Sequence, residues 1–169
     1  MLARMMHRFA ILGMAITLAL AGAARADRPS ADRAKQAALA WVAALDDDKP
    51  DAAAKLTAAQ LFGAAYGDGP GAGCKATTAT APAAIARLLG CLHGKIGTSI
   101  TLEPWTPQAA KALDGPLRQH KAKLAALEKT ATLVHAHDKC VGEGQDVIIA
   151  VGADAKVALA LVQHVTCGE

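Results

Sequence analysis

The chain has 169 residues with 18 lysines and arginines against 15 aspartates and glutamates, a formal net charge of +3. Arg4, Arg8 and Arg25 all fall before residue 27, so the segment after them carries equal numbers of basic and acidic side chains. That balance removes the clustered positive charge by which nucleic acid or anionic membrane is bound, and the length suits one domain with one core. The apolar content of 53% is dominated by alanine, which buries little area per residue.

Residues 1–26 read as a cleaved export leader. Arg4, His7 and Arg8 form a basic opening, an uncharged apolar run of about 13 residues follows, and Ala24-Arg25-Ala26 supplies a small-x-small cleavage site. The run is short of the roughly 18 to 20 residues needed to span a bilayer, so no stable membrane insertion is expected after cleavage. The expected layout is a signal peptide over 1–26 and a single domain over 27–169, periplasmic or secreted. In an oxidising compartment, Cys74, Cys91, Cys140 and Cys167 are expected to form two disulfides. Four cysteines allow three pairings; the local pairs, Cys74 with Cys91 and Cys140 with Cys167, are favoured.

Ser30 is a suitable N-cap for a helix over 31–48, where Ala34, Ala38, Trp41, Val42 and Leu45 share one face. A second helix is expected from near Pro50 to Phe62, with Asp48 at its cap. The Asp46-Asp47-Asp48 run then lies at a junction between helices and reads as capping and solvated charge. Gly67-Asp68-Gly69-Pro70-Gly71-Ala72-Gly73 lacks both the GxxxxGK[ST] and the GxGxxG spacing and reads as a loop. Thr80 is expected to cap a helix with Pro82 in its first turn and a stripe of Ile85, Leu88, Leu89 and Leu92.

A short strand is expected over 98–103. Thr106 then caps a helix that Gly115-Pro116 breaks, and a further helical segment runs over 117–129. From Thr130 the pattern changes to period two, and three strands are expected over 131–141, 146–151 and 156–166, joined at Gly142-Glu143-Gly144 and Gly152-Ala153-Asp154. The expected fold is α+β, with N-terminal helices packed on one face of a C-terminal antiparallel β-meander.

His135 and His137 are two apart on the first of these strands and point to one face, the minimal geometry for a pair of imidazole ligands. A Cys140–Cys167 bridge would set the strand parity so that His164 joins them. Zn²⁺ is the metal such a triad suits, and the same imidazoles could serve as acid and base in a pocket under the helices. No other catalytic template is present. Ser30 and Ser99 are the only serines and neither lies in a GxSxG elbow, CxxCH is absent, and the carboxylates form no pair by spacing.

The run from Ala38 to Asp48, followed by residues 51–62 and by long antiparallel strands at the end, resembles the nuclear transport factor two-like superfamily. The resemblance implies a cone in which helices pack inside a curved sheet, a fold used by polyketide cyclase-like and ketosteroid isomerase-like enzymes and by many binding modules. No catalytic residue of that superfamily can be placed on this sequence. The functional expectation is an exported, non-catalytic binding or interaction module for a protein or small-molecule ligand, requiring no cofactor. The alternative is a small-molecule enzyme or metal-binding protein using His135, His137 and His164.

Overall fold

The computed structural model describes residues 27–47, 49–67, 73–97, 100–137 and 143–166. Six strands form one mixed sheet in the order β2-β1-β6-β5-β4-β3. They are β1 (Thr57–Tyr66), β2 (Cys74–Ala79), β3 (Glu103–Pro104), β4 (Ala131–His137), β5 (Glu143–Gly152) and β6 (Val157–Thr166). The last three form the expected antiparallel meander, and β1 adds to β6 in parallel.

Helix α1 (Ala31–Asp46) begins as its sequence requires: the Ser30 hydroxyl accepts from the Arg33 N–H at 3.3 Å. Its apolar stripe of Ala34, Ala38, Trp41, Val42 and Leu45 is buried against one face of the sheet. Trp41 is fully enclosed, and its indole N–H donates to Thr57 Oγ1 at 2.9 Å, whose hydroxyl donates in turn to the Ala53 carbonyl at 2.8 Å. This chain of bonds satisfies the one polar atom of the largest core side chain and ties α1 to α2 (Pro50–Lys55) and the start of β1. Helix α3 (Pro82–Leu92) covers the other end of the same face with Leu88, Leu89 and Leu92. The Cys74–Cys91 disulfide fastens it to β2.

The opposite face is covered too. Helix α4 (Pro107–Ala112), a 3-10 turn (Gly115–His120) and α5 (Lys121–Leu127) fill the connection between β3 and β4. Leu117 and Leu124 from this segment pack on Ala64, Leu133, Ile148, Leu159 and Leu161. The sheet is therefore the middle layer of three, which explains why Ile148, Ile149, Leu159, Ala160, Leu161 and Val162 are all buried in consecutive runs.

Several expectations need correction. The second helix does not reach Phe62; it ends at Lys55, and 57–66 is a strand. Its alanine-rich sequence favours a helix locally, but in the folded chain it hydrogen-bonds to a neighbour on each side and buries Leu61 on one face and Ala64 on the other. Residues 74–79, for which the sequence pattern predicts no element, form an edge strand beside it. The short strand expected over 98–103 is Glu103–Pro104, residues 98 and 99 lying outside the described residues. Helices pack on both faces of the sheet rather than one. The N-cap of α3 is Ala81 rather than Thr80, and that of α2 is Lys49, whereas Thr106 caps α4 as expected, accepting from the Ala109 N–H at 3.1 Å.

The Cys74–Cys91 bridge matches the favoured local pairing and suits a non-reducing compartment. Cys140 and Cys167 lie outside the described residues, as does the leader over 1–26. Among the described residues no helix is long and apolar enough to cross a membrane.

Candidate functional site

The two strand histidines share the outer face, the one covered by α4 and the 3-10 turn. In the β4–β5 ladder His135 pairs with Ile148 and His137 with Asp146, and Ile148 pairs in turn with Leu161 of β6. Side chains on paired residues project to the same face. His135, His137, Asp146, Ile148, Leu161 and Gln163 therefore form one surface.

His164 does not join them. It pairs with Gln145 and lies exposed on the α1–α3 side of the sheet. The expectation derives the strand parity from a Cys140–Cys167 bridge, whereas the observed ladder carries an irregularity between Ala150 and Val151, and one such irregularity inverts the parity. Among the described residues no group of three or more His, Cys, Asp or Glu side chains is placed to hold a metal ion. His135 and His137 are brought together without the third imidazole that the zinc reading requires.

They are brought instead to the mouth of a cleft of about 160 Å³. Its apolar wall consists of Trp105, Leu113, Leu117 and Ile148, with Ala109 and Ala112 at the α4 side and His135, His137 and Asp146 at the polar end. Each wall has a local cause. Strand β3 is only two residues long, pairing Glu103 with His135 and Pro104 with Val134, and the Trp105 N–H then donates to the Leu133 carbonyl at 3.1 Å. That register sets the indole edge-to-face against the His135 ring, centroids 5.6 Å apart at 85°. The break at Gly115-Pro116, where Gly115 has a φ of +45°, turns the chain from α4 into the 3-10 turn so that Leu113 and Leu117 both reach the cleft.

The electrostatics at the polar end are uneven. His137 Nδ1 lies 2.5 Å from Asp146 Oδ1, with the imidazole side chain 67% exposed and the carboxylate 20% exposed. His135 is half-buried, and desolvation lowers its pKa below the ordinary histidine value, only partly offset by the Glu103 carboxylate, a backbone contact with Pro104 and the Asp146 carboxylate, with His137 reinforcing the lowering. His135 is thus held neutral near pH 7 beside two carboxylates. Trp105 Nε1 is buried and makes no hydrogen bond among the described residues.

A second polar cluster anchors the outer layer. The Gln119 side-chain amide donates to the Tyr66 hydroxyl at 3.0 Å, and that hydroxyl lies 2.6 Å from His120 Nε2. Tyr66 accepts from Gln119, and its own proton can go to His120 Nε2 when that nitrogen is unprotonated. Burial lowers the His120 pKa, and Lys123 lowers it further. Phe62 stacks edge-on to His120 at 5.4 Å and receives the Lys123 ammonium 4.3 Å above its ring.

The alternation of β4 finds His135 and His137, but Trp105 and Asp146 are missed in sequence. Trp105 reads as part of a Pro-flanked interruption, and Asp146 as the first residue of a strand. Only the β4–β5 register places Asp146 opposite His137. Of the two helix-covered faces, the histidines look to the one beside α4 and the 3-10 turn; the space between α1, α3 and the sheet is filled by Trp41, Leu61, Leu89 and Leu92, all essentially inaccessible.

No protein-family model matches the chain, and no curated protein matches it in sequence. Among solved structures it is similar to the crystal structure of an NTF2-like protein from Burkholderia xenovorans LB400, at 16% identity and a TM-score of 0.43, over 81% of this chain and 92% of that one.

Proposed function

We propose that the protein is an exported binding module that seats a small, ring-sized apolar group in the cleft between α4, the 3-10 turn and strands β4 and β5. The observation that carries this reading is the convergence of an indole, three aliphatic side chains and the His135, His137 and Asp146 heads on one concavity. Binding sites for small molecules have this composition, an apolar wall with a few placed polar groups. A cleft of about 160 Å³ is close to the roughly 150 Å³ that accommodates a benzene ring, so it suits one ring or a short aliphatic group rather than a large cofactor. Export is supported by the leader-like residues 1–26 and by the Cys74–Cys91 disulfide.

The test is a screen of neutral ring-sized fragments against the oxidised protein, read by amide and indole chemical shifts. Perturbations clustering at Trp105, His135 and Ile148 support the reading. Perturbations confined to other surfaces, or none at millimolar fragment, overturn it.

A second reading, acid–base chemistry on the bound molecule, is favoured by the His137–Asp146 contact. A carboxylate on Nδ1 orients the imidazole and leaves Nε2 as the nitrogen outside that contact, the arrangement of a positioned general base. Turnover of a bound molecule by the wild type that His137→Ala abolishes supports this second reading, and binding without turnover in the wild type overturns it.

A further inference from the structure

The chemistry at the polar end of the cleft specifies more than size. We infer that the ligand seated there carries a protonated amine next to its ring-sized apolar body, an inference that rests on the binding role proposed for the cleft. Asp146 lines the cleft, and Glu103 pairs across the β3–β4 ladder with His135, so both carboxylates lie on the sheet face that forms its floor. Among the described residues no lysine or arginine lines the cleft. The charges that act on His135 are Glu103, Asp146 and His137, and no lysine or arginine is among them. His135 itself is held neutral by burial, so among the described residues the one group at this end that can offset the two acids is His137, which lies two-thirds exposed at the rim and shares Asp146.

A ligand carboxylate or phosphate brought here meets two carboxylates and can pair only with His137, which already holds Asp146. An ammonium gains the Asp146 carboxylate that lines the cleft, with Glu103 adding to the negative field from the neighbouring strand, while its apolar body meets the Trp105 indole. The buried Trp105 N–H is a competing signal, because it offers a donor to a neutral acceptor such as a hydroxyl or carbonyl. Hydrogen bonds that involve a charged group are the stronger kind, so the carboxylates govern the choice.

The experiment compares benzylammonium, benzyl alcohol and benzoate at pH 7.5 and low ionic strength. The readout is the indole N–H resonance of Trp105, distinguished from that of Trp41 by a Trp105→Phe variant. The expected result is saturable binding of the neutral benzyl alcohol, at least tenfold tighter binding of benzylammonium, and weaker or undetectable binding of benzoate. Asp146→Asn should shrink the preference for the amine over benzyl alcohol to less than about threefold, and Glu103→Gln should act in the same direction. Salt at 0.5 M should reduce the preference in the wild type, since the charges are partly exposed.

Equal affinity for amine and alcohol, or a preference for benzoate, overturns the amine assignment and leaves the cleft reading standing. A preference for benzyl alcohol over the amine means that the unpaired indole N–H selects the ligand, and it also overturns the assignment. No Trp105 shift with any of the three compounds overturns the cleft reading itself.

Discussion

His137 Nδ1 and Asp146 Oδ1 meet at 2.5 Å across the β4–β5 hairpin, on the rim of the outer-face cleft. With the imidazole two-thirds exposed, this contact adds little to stability: exposed ion pairs are worth about 0 to 1 kcal/mol. Asp146→Asn should therefore shift the urea midpoint by an amount corresponding to less than about 1 kcal/mol, while altering the orientation of His137 as seen in its ring resonances. A loss of several kcal/mol would show the pair to be structural rather than part of a site.

The Trp41–Thr57–Ala53 bonds belong to the opposite, filled face, where function is not expected and stability is. Thr57→Val leaves the indole N–H without its acceptor in a fully buried position, at a cost of about 1 to 3 kcal/mol. Trp41→Ala should cost about 3 to 5 kcal/mol by cavity formation. Denaturant titration of both variants checks the order, and equal midpoints to wild type would contradict the packing described.

Gly63 tests the close approach of α3 to β1. A Cβ built there would lie 3.0 Å from Leu88 Cδ1 and 3.1 Å from both Leu88 Cδ2 and Leu92 Cδ1. Those atoms are side-chain ends that can shift partway, so Gly63→Ala should destabilise by about 1 to 3 kcal/mol rather than unfold the protein. Removing the Cys74–Cys91 bridge by a double serine substitution should cost about 3 kcal/mol for a loop of sequence separation 17, measured as the same midpoint shift.

Two histidines give stability a pH dependence of known sign. His120 and His135 have pKa values lowered by burial, so between the ordinary value near 6.5 and their lowered values the unfolded chain binds more protons than the folded one. Their contribution is fully present above about pH 6.5 and is lost as the pH falls through that value toward the lowered ones. Protonation of His120 also removes the acceptor for the Tyr66 hydroxyl. His120→Gln should flatten the fall in urea midpoint between about pH 7.5 and 5 relative to wild type. Parallel profiles would contradict the buried neutral assignment.

The parts of this fold that are legible in sequence are those where local pattern and tertiary environment agree. The Ser30 cap and the stripe from Ala34 to Leu45 give α1, the Thr106-Pro107 pair starts α4, and the β-branched alternation after Thr130 gives the meander. Strand β1 is illegible because its alanines favour helix and only pairing with β2 and β6 decides otherwise. At the site, the shared face of His135 and His137 follows from period two alone. The position of His164, the partnership of Asp146 and the placement of Trp105 depend on strand register, which local sequence leaves open.

A blocking substitution tests most directly whether the outer-face cleft is where this protein binds. Ala109 lines the cleft from α4 and is only partly buried, so Ala109→Phe can fill the space without entering the core. Benzyl alcohol titrated into wild type and Ala109→Phe, followed at both tryptophan indoles, should move Trp105 saturably in the wild type, leave it unmoved in the variant, and leave Trp41 unmoved in both. The same Trp105 response in both proteins, or a response at Trp41, would place binding elsewhere and contradict the account.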